Sequence, residues 1–174
     1  MRLRIFVKPQ YWALCFFAAL LAFWPLSTVR ADQPFQRFEP LLIDLNGWKG
    51  KKPEGMSMQM SDASMTSATR EYERGSGQLH ASVLVGQAAV GALPQVESGM
   101  NISTSEGHAI STTINGMPVL KSYNIADKSG MLIVALSKSA VFSLGYENIS
   151  EDEALALAEK FDWKALQQMA AQIK

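Results

Sequence analysis

Residues 131–136 read MLIVAL, six apolar residues in a row between Gly130 and Ser137. A short, wholly apolar run bounded by turn residues is a strand buried on both faces. It therefore belongs at the centre of a sheet, covered on both sides or by a helix. Turn chemistry supplies its neighbours. Ser137-Lys138-Ser139 separates it from AVFSLGY (140–146), and Asp127-Lys128-Ser129-Gly130 separates it from MPVLKSYNI (117–125). Asn115-Gly116 joins MPVLKSYNI to HAISTTI (108–114), the strongest short hairpin signal. Residues 108–146 thus predict an antiparallel meander.

A second meander precedes it. In QLHASVLVG (78–86), Leu79, Ala81, Val83 and Val85 fall on one face. Arg74-Gly75-Ser76-Gly77 turns the chain back into SMTSATREY (64–72), and Ser61-Asp62 leads back again into GMSMQM (55–60). Between the meanders, QAAVGALPQVES (87–98) is rich in alanine and predicts a crossover helix lying on the sheet, weakened at Gly91 and Pro94. At the other end, Ser150 and Glu153 form an S-x-x-E capping box, and Glu151 and Asp152 suit the positive end of a helix dipole. Ala154, Leu157, Ala158 and Phe161 give that helix an apolar stripe, and Asp162 can cap a further short helix, WKALQQMAAQ. The fold class is α+β: one antiparallel sheet of about six to seven strands in two meanders, with a crossover helix and a C-terminal helix packed on it.

Residues 55–174 form that single domain. Residues 32–54 lead into it. There Phe38, Leu41, Leu42 and Leu45 recur at helical spacing, with Pro40 suited to a first turn and Asn46-Gly47 to a stop, predicting a short helix over 39–46. WKGKKPEG (48–55) is loop by composition, and Trp48 can fold back onto the core.

Residues 1–31 read as a secretory signal peptide. Arg2, Arg4 and Lys8 precede the apolar run YWALCFFAALLAFWPL (11–26), and Val29 and Ala31 sit at the −3 and −1 positions of a cleavage site before Asp32. The run is shorter than the roughly 20 residues of a spanning helix. Left uncut, the segment would tether the same domain on the outer side. The arginines are not adjacent, which favours the general export route. Cys15 follows Leu14, where a lipid-attachment box needs a small residue, so it reads as an apolar filler. Cleavage leaves 143 of the 174 residues, with 12 basic residues against 16 acidic ones and a net charge of −4. That balance argues against nucleic-acid binding. The only cysteine departs with the signal, and with it any disulfide, thiol nucleophile or thiolate ligand.

Chemistry-bearing residues are few. Alternation puts Met56, Met58 and Met60 on one face of their strand and Ser57 and Gln59 on the other. The other strands carry Leu, Ala and Val where this one carries Met, so the methionines are expected to point into the core as flexible fillers. The alternative is a soft-metal site, because thioethers suit Cu(I). His80 and His108 stand neither at ligand spacing nor beside an acid in sequence, and no G-x-S-x-G elbow accompanies the many serines. His80 alternates with Leu79 and Ala81 and so faces away from the core. Glu71 and Glu73, flanked by Arg70 and Arg74, read as a charge-laced solvent face. Asn101-Ile102-Ser103 and Asn148-Ile149-Ser150 match the glycosylation sequon by chance.

Gly47-Trp48, Pro53-Glu54-Gly55, SATREY (67–72) and FDWKAL (161–166) resemble a group of small exported bacterial proteins without an assigned activity. The order of elements is loosely similar to the PsbP-like α/β sandwich. The resemblance spans about residues 41–170; it implies a fold and an exported location, and no catalytic residues. PsbP-like domains are generally accessory or binding modules, which implies the same here. The expectation is a non-enzymatic accessory or binding module without a cofactor, periplasmic or secreted. It would meet a periplasmic protein or small ligand, and neither nucleic acid nor a membrane beyond the signal peptide. The alternative is a Cu(I)-binding protein using Met56, Met58 and Met60. Protein recovered from outside the cytoplasm is expected to begin at Asp32; an intact mass that retains residues 1–31 would overturn the cleavage.

Overall fold

The apolar run at 131–136 lies in the middle of a sheet, as its composition requires. The computed structural model describes residues 33–61 and 63–173. The signal peptide and the cut between Ala31 and Asp32 lie outside the described residues. Within them, nine strands form one antiparallel sheet. They are β1 (Lys49–Gly50), β2 (Glu54–Gln59), β3 (Ser64–Arg74), β4 (Gly77–Gly86), β5 (Asn101–Ser103), β6 (Gly107–Ile114), β7 (Met117–Asn124), β8 (Ser129–Ser137) and β9 (Ala140–Glu147). Their order across the sheet is β1-β3-β4-β9-β8-β7-β6-β5, with β2 also pairing β3 beyond the end of β1. The crossover consists of α1 (Gln87–Val90) and α2 (Leu93–Glu97); the chain closes with α3 (Glu151–Ala158) and α4 (Trp163–Ala170).

Both faces of the sheet are covered, unequally. The inner face packs Leu79, Val83, Leu132, Val134, Phe142 and Leu144 against α3, α4 and the lead-in segment in one large core. Phe161 closes that core, its ring 5.0 Å from Phe142 and 6.4 Å from Tyr72. On the outer face, α1 and α2 bury Ala89, Leu93 and Val96 over Leu120, Ala135 and Val141. From Leu132 to Leu136 the alternating residues of β8 thus enter two separate cores, while Met131 stays 44% exposed. The Asn115-Gly116 turn has both residues at positive φ (52° and 79°), the geometry of a primed hairpin turn.

The structure departs from the sequence expectations in four places. β1 and β5, of two and three residues, are edge pieces too short to show alternation, and they raise the strand count to nine. The crossover is two helices: it breaks at Gly91-Ala92, and Pro94 falls in the first turn of α2, where its missing N–H is harmless. The helix expected over 39–46 is absent; the segment instead forms two 3-10 turns, Pro34–Arg37 and Glu39–Leu41. There the carbonyl of Leu42 accepts from Arg70 Nη1 at 2.7 Å and that of Ile43 from the Tyr72 hydroxyl at 2.8 Å. The chain gives up its helical bonds to lay Phe38, Leu42, Leu45 and Trp48 into the core. Burial of Tyr72 pushes its pKa up to about 12, against the opposing charge of Arg70.

The fourth departure concerns the methionines. Met56, Met58 and Met60 point away from the core and are 47%, 48% and 65% exposed. The inner face of β2 is taken by Gly55 and Ser57. A side chain on Gly55 would come within 2.6 Å of the Phe35 ring and 2.5 Å of the Ser67 carbonyl oxygen. Ser57 Oγ accepts from the Phe35 amide and from Thr66 Oγ1, each at 3.2 Å. The lead-in segment fills the space that large inward residues would need, so the alternation has the opposite parity to its neighbours.

One central glycine is required by packing. Gly130 stands between Tyr123 and Tyr146 in register, and these rings stack with centroids 6.3 Å apart. A Cβ on Gly130 would collide with Tyr146 Cζ and its hydroxyl and stand 2.5 Å from the Ser122 carbonyl oxygen. Gly130→Ala is expected to cost about 1–3 kcal/mol in urea unfolding, as overpacking does. Gly145→Ala, whose Cβ meets nothing nearer than 3.9 Å, is expected to stay within about 0.5 kcal/mol. Equal effects at the two glycines would refute this account.

Candidate functional site

Outward parity gathers the thioethers. In the β2–β3 register Met58 lies directly opposite Met65, and Met56 lies opposite Ser67. Directly opposed residues have Cβ atoms about 5 Å apart, so Met58 and Met65 are neighbours. Met60 closes the β2–β3 turn, its amide donating to the Ala63 carbonyl at 2.8 Å. Met58, Met60 and Met65 line one apolar groove of 330 Å³ with Ala63, Gln87 and Ala88.

The far wall of this groove depends on Gly86. Gly86 has φ +99°, and a Cβ there would collide with the Ser64 carbonyl oxygen. Only glycine lets β4 end beside Met65 and turn at once into α1, carrying Gln87 and Ala88 across to the methionines. Among the described residues no charged side chain lines the groove. Its thioether sulfurs, soft and polarizable, stand beside the polar residues Ser64 and Gln87.

The two histidines occupy opposite faces. His80 is on the outer face, in a register row with Glu71, Gly145 and Met131. His108 is on the inner side of β6, and its Nε2 lies 2.7 Å from Glu151 Oε2. Lys121 Nζ is 2.7 Å from the other oxygen of the same carboxylate. The Glu151 side chain is only 18% exposed. Burial alone would raise its pKa, but the hydrogen bond and charge of Lys121, and then His108, outweigh that and hold it below the usual carboxylate value. This cluster ties the first turn of α3 to the β6–β7 hairpin. Sequence reading missed it because the partners lie far apart in the chain. One signal was present: in MPVLKSYNI, Lys121 shares its parity with Val119 and Tyr123 and so must point inward.

The acids of β3 are solvent-facing as expected, with different partners. Lys51 Nζ lies 2.7 Å from Glu71 and 3.3 Å from Glu73. Arg70 and Arg74 point to the opposite face, as their odd spacing from the acids demands. Arg70 pairs with Asp44 and Arg74 with Glu153, and the Arg74 guanidinium sits 4.3 Å from the Trp48 ring. Ser150 and Asp162 cap α3 and α4, accepting from Glu153 N at 3.2 Å and Ala165 N at 2.9 Å. Among the described residues no three His, Cys, Asp or Glu side chains gather as a metal-binding group, and no helix is long and apolar enough to cross a membrane.

Comparison of the chain with protein-family models, curated proteins and solved structures returns no match.

The Glu151 cluster sets an acid limb on stability. A carboxylate with a lowered folded pKa stabilises the fold above its unfolded value near 4.5, and that contribution is lost as pH falls through the folded pKa. Glu151→Gln is expected to be less stable than wild type at about pH 6, with the gap closing toward about pH 3. Thermal unfolding at a series of pH values reads this directly; a gap independent of pH would count against it.

Proposed function

We propose that this protein is an exported, non-enzymatic binding module that holds a soft monovalent cation, Cu(I) or Ag(I), on its outward methionines. One observation carries the reading: Met58, Met60 and Met65 line a single solvent-open groove, with Met56 next along the same strand face. A strand that buried its methionines would need no ligand to explain them. Here large apolar side chains are spent on solvent while Gly55 and Ser57 face inward, and thioethers select soft ions. Export rests on the pattern of residues 1–31, and it puts the groove in a compartment where thiols oxidise readily and thioether ligands persist. The separation of His80 and His108 on opposite sheet faces supports a binding role over a catalytic one.

A second reading has its own support. Val90, 40% exposed on α1, lines an adjoining cavity that shares Ala63, Ser64 and Gln87 with the groove, and Ala63 and Ala88 line the groove itself, adding apolar surface that a metal does not require. That favours docking of a partner protein on the same face.

Met58→Leu together with Met65→Leu separates the two, because leucine keeps the apolar shape and removes the sulfur. In chloride-free buffer, Ag(I) is expected to shift the Met58, Met60 and Met65 methyl resonances together. The double variant is expected to bind at least about tenfold more weakly in chelator competition, with its unfolding midpoint unchanged. Unaltered affinity in the variant would sink the metal reading, and retained capture of a specific periplasmic partner would then favour docking.

A further inference from the structure

Gly145 lies in the interior of β9, near the centre of the sheet, where glycine weakens a strand. Packing does not require it. A Cβ there would meet only the Cβ and carbonyl of His80, at 3.9 and 4.0 Å, and its backbone is not in the left-handed region. Gly130 makes the contrast, since the Tyr146 ring covers it. The bareness of Gly145 instead opens a trough of 420 Å³ on the outer face, beyond the reach of α1 and α2.

Two metal-ligating side chains flank that gap. His80 pairs with Gly145 across β4–β9, and Met131 pairs with Gly145 across β8–β9. Both side chains point outward on the same face; His80 is exposed and Met131 is 44% exposed. Adjacent strands are about 4.8 Å apart, so the two Cα atoms stand about 10 Å apart, one strand between them. A side chain on the middle residue would stand between the imidazole and the thioether. With glycine there, both can lean inward and share an ion. Glu71, the next residue in the row, is held by Lys51 at 2.7 Å.

We propose that His80 and Met131, converging over Gly145, form a second soft-cation site for Cu(I) or Ag(I), separate from the methionine groove. The mixed imidazole–thioether pair suits a soft ion, and no electron changes hands on binding. The choice of ion rests on the soft-cation reading above; the site itself rests on the row His80–Gly145–Met131. Its position on the same outer face gives the protein two stations for one kind of cargo.

Ag(I) titration of the isotopically labelled domain tests this, read at the histidine ring and methionine methyl resonances. The His80 ring and the Met131 methyl are expected to shift together, with His108 unmoved. His80→Ala and Gly145→Val are each expected to abolish the Met131 shift while the unfolding midpoint does not fall. The Met58→Leu, Met65→Leu double variant is expected to keep it. A Met131 shift that survives Gly145→Val, or a His80 ring that stays still, overturns the second site. Shifts confined to Met58, Met60 and Met65 overturn it and leave the groove reading standing. Shifts confined to His80 and Met131 do the reverse, and silence at every methionine ends both.

Discussion

The two meanders become one sheet only where β4 lies antiparallel to β9, from Gln78 opposite Glu147 to Val85 opposite Ala140. Every other pairing joins strands adjacent in the chain or, at β1, close to it. This seam alone closes the long excursion through the crossover and four further strands, so it bears most of the loop-closure entropy of the fold. It also fixes parity. Leu79, Ala81 and Val83 meet Tyr146, Leu144 and Phe142 on the inner face. A slip of one residue would turn that whole set to the other side. The same register sets His80 beside Gly145 on the outer face.

The outer face is divided by what the crossover can reach. Helices of four and five residues cannot span a sheet of this width. α1 and α2 cover the middle rows with a small core and leave two areas open, the methionine groove at one side and the Gly145 trough at the other end of the strands. Both candidate sites sit at the margins of this cover, and α1 itself forms a wall of the first.

Strong local signals made much of this fold readable. MLIVAL announced a doubly covered strand, Asn115-Gly116 announced a hairpin, and Ser150 and Asp162 announced two helix starts. The unread parts depend on partners distant in sequence. The parity of GMSMQM was misread because the residue that decides it, Phe35, lies on another element some twenty positions earlier. Met65 gained meaning only once the register set it opposite Met58. The helix expected at 39–46 was lost to Arg70 and Tyr72, whose claim on its carbonyls cannot be seen in its own periodicity. The alternation did show that some face of β2 carries the methionines; which side that face looked toward was a tertiary fact.

The parity of β2 also governs how freely the chain can vary. Strands ordinarily hold their large residues fixed and let their small polar ones drift. Along residues 54–59 the rule runs backwards for folding. Gly55 is confined by the Phe35 ring and Ser57 by two hydrogen bonds, while Met56 and Met58 lie about half exposed outside the core. Stability alone would let the methionines be exchanged for almost anything and would hold the glycine and serine in place. Any reluctance of this chain to lose those methionines therefore has to come from what they meet outside it.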